Sequence, residues 1–211
     1  MVKWWMVTNM ALIKSNSKER LVKGLLNASY DDETIERLTT LQNEIGISFS
    51  TKVVAITSIK HDELAVAFAK AFASAYSANG AKTLVIDANL YNPLLSRLLS
   101  DLEGETENGY RTLIIDGQTT AICLPKEIYP SEVYKSGLVQ KIISENEREY
   151  DHFVVVVPEI KDHKEIVLLK DVVTSIILLT QKDVTKKEHI YNAIQYCAIN
   201  KLPLAKTMVL K

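Results

Sequence analysis

Four short, unbroken apolar runs constrain the fold of this chain more than any other feature. They are Val53-Val54-Ala55-Ile56, Leu84-Val85-Ile86, Phe153 to Val157, and Ile176 to Leu179. A strand with one wet face alternates apolar and polar residues, whereas a run without alternation needs cover on both faces. Helical spacing separates the runs, over 64–79, 92–99, 131–148 and 164–173. A further helix is expected over 31–48, with Asp31 or Asp32 as its cap, another over 186–200, and a last strand over 205–211. Strands alternating with helices predict an α/β fold: a mainly parallel, doubly wound sheet with helices on both faces. Residues 1–31 read as an N-terminal arm and 32–211 as one domain.

Composition narrows the function classes. The chain has 211 residues, 47% of them hydrophobic and 24% charged, enough for a full core. A formal net charge of −1 gives no global attraction to nucleic acid or to an anionic membrane. Cys123 and Cys197 lie in apolar segments without metal-ligand or disulfide spacing, so both are expected to be buried free thiols, which fits a reducing cytoplasm. No apolar run approaches the roughly 18 residues of a membrane span. The opening MVKWWMVTNMALIK lacks the cleavage pattern of a signal peptide. Trp4 and Trp5 within it either pack on their own domain or anchor a partner or a membrane surface.

The stretch TSIKHDELAVAFA, residues 57–69, follows the first apolar run and opens an alanine-rich helix. Strand, short polar loop and helix are the setting of a phosphate loop. That loop normally carries glycines so that amides can wrap phosphate, a lysine to neutralise it, and a hydroxyl to bind Mg²⁺. The stretch has no glycine, and no lysine followed by Ser or Thr. His61, His152, His163 and His189 show no ligand spacing, and no nucleophile–base arrangement is evident. Lys182, Lys186 and Lys187 read as a solvated helix start or as a docking patch for an acidic partner.

Four segments in order resemble the bacterial tyrosine kinases of capsule and exopolysaccharide assembly, relatives of the septum-placing and partition ATPases. KTLVIDANLYNPLLSRLL (82–99) is similar to the family's second nucleotide motif, with Asp87, Ala88, Leu90 and Pro93 matching and Asn89 and Tyr91 departing. YPSEVYKSGLVQKII (129–143) resembles a helical segment of the family. EYDHFVVVVPEI (149–160) resembles the strand that ends in a metal-organising aspartate. ERLTTLQNEI (36–45) resembles the oligomerisation helix, keeping Glu36 but holding Thr39 and Gln42 in place of two arginines.

The resemblance implies a P-loop NTPase-like fold over about 33–211. Aligned on it, the phosphate loop becomes Asp62, Glu63, Leu64, Ala65 and Val66, while Val156 and Val157 take the places of the aspartate and a threonine. No catalytic residue and no metal ligand is therefore expected, and ATP and Mg²⁺ binding are expected to be lost. Asp87 is the one retained acid, either a surviving catalytic group or a strand-end aspartate bonding loop amides. Asp62 is expected to cap the following helix where phosphate would sit. The family's tyrosine cluster, expected beyond the last strand, has no counterpart before Lys211. The function implied is an inactive kinase-like binding or regulatory protein. Its partner would be the cytoplasmic segment of a polysaccharide co-polymerase or an active kinase paralogue, with no nucleic acid and no integral membrane segment. The alternatives are a divergent active kinase or ATPase, with Lys60 reaching phosphate, and a partition-type scaffold.

Overall fold

The computed structural model describes residues 30–46, 52–60, 62–99, 104–107, 109–124 and 129–210. The expectations for Trp4, Trp5 and His61 fall outside these residues. Helix α1 (Asp32–Glu44) starts as expected, with the Asp31 carboxylate accepting from the Thr34 amide at 2.8 Å. Strand β1 (Lys52–Ser58), helix α2 (Asp62–Ala78) and strand β2 (Thr83–Asp87) follow. Next come the short helix α3 (Leu94–Leu98) and the strands β3 (Glu105–Glu107), β4 (Tyr110–Ile114) and β5 (Thr119–Cys123). Helices α4 (Pro130–Lys135) and α5 (Leu138–Asn146) precede β6 (His152–Val156). A 3₁₀ turn (Glu165–Leu169), β7 (Ser175–Gln181), α6 (Lys187–Ile199) and β8 (Leu204–Leu210) complete the chain.

The eight strands form one sheet in the order β3-β4-β5-β2-β6-β1-β7-β8. From β5 to β8 every neighbour is parallel, and β4 and β3 add an antiparallel edge. The doubly wound α/β class read from the apolar runs is thus the observed one. The runs are buried because each strand feeds two cores: Val54, Ile56, Val154 and Val156 face the α1–α2–α3 side, and Val53, Ala55, Phe153 and Val155 the other. Both cysteines are free and buried.

Helix α2 is buried on almost every side because the sheet lies beneath it and α1 above it. Leu38 and Leu41 of α1 share its core, and the Gln42 side chain, itself buried, donates to the Phe72 carbonyl at 2.9 Å. Gln42, which stands where the resemblance places an arginine, thus makes its bond inside one subunit. Gln42→Ala is expected to cost about 1 kcal/mol, the net worth of a typical hydrogen bond. Chemical denaturation checks it.

Two sequence expectations need correction. The helix expected over 131–148 is two helices, because Gly137 takes φ +73° and ends the first turn pattern. The helix expected over 164–173 is only the 3₁₀ turn Glu165–Leu169, too short and irregular for α-helical bonding. Among the described residues, no helix is long and apolar enough to cross a membrane.

Candidate functional site

In open α/β sheets the ligand crevice lies beyond the carboxyl ends of the central strands. Here those ends are Ser58 of β1, Asp87 of β2 and Val156 of β6. Asp87 and Ile56 both stand opposite Val156 in the register. The β1–α2 connection is drawn tight: the Ile59 amide donates to the Leu179 carbonyl at 3.1 Å, and the Thr57 hydroxyl to the Pro158 carbonyl at 2.8 Å. Lys60 then takes a left-handed conformation, φ +69°, which costs energy in a residue with a β-carbon. Its side chain is exposed.

Asp62 is the first residue of α2 rather than its cap. One carboxylate oxygen, Oδ2, accepts from the Asn92 side-chain amide at 3.0 Å, and the other, Oδ1, is buried without a partner. The expected cap by Asp62 is thus replaced by a bridge from α2 to the loop after β2. Asn92 is committed to that bridge, and its Oδ1 accepts from Arg97. Leu64, Ala65 and Val66 are buried in the first turns of α2, adding apolar contact and no polar group toward the crevice. Glu63 is half-buried beside them.

Asp87 does the capping. Its Oδ2 accepts from the Leu95 and Ser96 amides at 3.0 and 3.4 Å, and its Oδ1 from the Asn89 amide at 3.2 Å. It therefore holds the turn after β2 and the start of α3, which is the strand-end alternative of the sequence reading. Burial pushes its pKa up to about 7, with a smaller push from Asp62, against the pull of the three amides. The Tyr134 hydroxyl closes the same turn from below, donating to the Ala88 carbonyl at 2.6 Å.

Glu159, two residues beyond Val157, belongs to this site and was not singled out in the sequence. Burial first, then Asp62 and Asp162, raise its pKa to about 7, while the Lys60 backbone amide hydrogen-bonds the carboxylate and works against the rise. An acid follows proline in VVPEI, but only the sheet order brings that turn beside the β1–α2 loop. Tyr91, which departs from the family motif, stacks on His163 with ring centres 3.7 Å apart and donates its hydroxyl to Glu165. The carboxylates are spread around the crevice: among the described residues, no three His, Cys, Asp or Glu side chains converge to hold a metal ion. The groups brought to this crevice are thus mainly acidic and amide-bonded. A nucleotide triphosphate with Mg²⁺ would call there for fixed positive charge and a hydroxyl ligand.

No protein-family model matches the sequence, and no curated protein matches it either. Solved structures do match. The kinase domain of the Escherichia coli tyrosine kinase ETK has a TM-score of 0.71 at 14% identity, over 99% of this chain and 87% of that one. The chimerical protein CapA2B2 has a TM-score of 0.69 at 15% identity, over 83% and 84%. A ParA family ATPase from Chlorobium tepidum has a TM-score of 0.53 at 16% identity, over 76% and 73%. What these likenesses establish is the architecture: the chain has the fold shared by bacterial tyrosine kinase domains and ParA-type ATPases.

Proposed function

We propose that this chain is an inactive member of the bacterial tyrosine kinase group, working by binding a protein partner instead of transferring phosphate. The observation that carries the reading is the acidic crevice. Where an active relative holds phosphate on loop amides, the Lys60 amide here meets the Glu159 carboxylate, and Asp62 stands at the head of α2. A unit charge pair at about 4 Å repels by about 4 kcal/mol at an effective dielectric near 20, which is the scale of the opposition that the Asp62 carboxylate would offer an entering triphosphate. Leu64, Ala65 and Val66 offer no counter-charge.

The sequence resemblance carries the setting: capsule or exopolysaccharide assembly, with a co-polymerase cytoplasmic segment or an active kinase paralogue as partner. Calorimetric titration with ATP and Mg²⁺ tests the loss of nucleotide binding. No heat and no thermal stabilisation are expected, and micromolar affinity would overturn the reading. Phosphotransfer abolished by Asp87→Asn would favour the divergent-kinase alternative.

A further inference from the structure

The two edges of the sheet are built in opposite ways. At one end, β3 is three residues long and reads Glu-Thr-Glu, the short, charged form by which an edge avoids pairing. At the other, β8 spans seven residues, LAKTMVL, and among the described residues no strand lies beyond it. Its one charge does not guard it: Lys206 turns onto α1 and pairs with Glu44 at 2.6 Å.

The β8 bonds show which groups are free. The Met208 carbonyl accepts from the Thr180 hydroxyl at 2.9 Å and the Leu210 carbonyl from the Lys182 amide at 2.6 Å, so both turn toward β7. Backbone groups alternate along a strand, so Thr207 and Val209 direct their N–H and C=O outward. Val209 is also 52% exposed, although the strand around it is apolar.

We propose that β8 is a self-pairing surface, joined edge to edge with β8 of a second copy of this chain. The strand is complementary to itself when antiparallel about Met208. Thr207 then stands opposite Val209 of the second copy, and the reverse. Each is an outward-facing residue, so both pairs exchange two backbone hydrogen bonds. The two side chains make a β-branched cross-strand pair that covers the exposed Val209. Lys206 falls opposite Leu210 of the second copy, so no like charges meet. The product is one sheet continuous through both copies, independent of whether the crevice binds nucleotide.

Sedimentation of the 211-residue chain over a concentration series tests this. The expected species has twice the 23.7 kDa mass of one chain. Val209→Pro removes an outward donor without touching the β7 ladder, and should weaken the dimer by roughly tenfold or more. Val209→Lys should do the same through charge at an exposed position, and circular dichroism establishes that each variant is folded. A monomer at every concentration overturns the proposal, as does a dimer indifferent to both variants. Slow hydrogen exchange at the Thr207 and Val209 amides in a monomer also overturns it, since residues of the same chain would then cover the edge.

Discussion

Replacing Asp87 by alanine should destabilise the fold by about 2–4 kcal/mol, because three amides, two in buried bonds and one part-buried, lose their acceptor at once, and each buried unsatisfied donor costs about 1–3 kcal/mol. The lower end of the sum applies because removing the carboxylate also removes a buried charge. The effect carries a pH signature. The folded pKa of Asp87, about 7, lies above its ordinary value of 3.8, so the folded state binds the proton more tightly than the unfolded one. Stability from this group is complete below about pH 4 and is lost as pH rises through about 7. The penalty of Asp87→Ala should therefore be largest near pH 4 and shrink toward pH 8. Denaturant unfolding of both proteins across that window measures it, and a pH-independent difference would mean that Asp87 is charged throughout. Glu159, also raised to about 7, adds a slope of the same sign to both proteins and cancels in the difference.

The second large effect is Val156→Asp, which places an aspartate where the kinase motif has one. Val156 is fully buried and directly opposite Asp87 in the β2–β6 register. A second carboxylate there has no counter-charge in the described site, and an uncompensated buried charge costs about 3–5 kcal/mol. The substitution should lower the unfolding midpoint sharply, with partial recovery in acid as one of the paired carboxyls keeps its proton. Adding Asp87→Asn should restore part of the loss, and the double-mutant cycle measures the coupling. Mg²⁺ should not rescue the single variant, since no loop hydroxyl stands ready as a further ligand. Rescue at millimolar Mg²⁺ would mean the crevice keeps the geometry of an active relative.

Much of the fold was legible from local patterns. Val53 to Ile56 and Phe153 to Val157 announce strands covered on both faces, and a strand of that kind belongs in a parallel sheet between helices. The boundaries that failed did so for local reasons. The helical spacing through 131–148 outweighed Gly137 on paper, yet one residue at positive φ is enough to end a helix. The role of Asp87 was open between two readings, and its three amide bonds are the ones that the strand-end reading calls for.

The acidic crevice was less legible. Asp62 stood out because it opens a helix, and capping is a short-range rule that sequence can express. Its actual partner, Asn92, lies thirty positions away and arrives only because β2 and β1 end on the same side of the sheet. Glu159 was invisible for the same reason: its neighbours Lys60 and Asp62 are remote in the chain.

Sequence by itself determined the class of fold, the buried strands and the lack of glycine in the β1–α2 loop, because periodicity and residue chemistry are local properties. Tertiary structure alone decided which carboxylates share the crevice, which amide each one satisfies, and which sheet edge is left open. Those depend on strand order, and strand order is a set of long-range pairings that no short stretch of sequence contains.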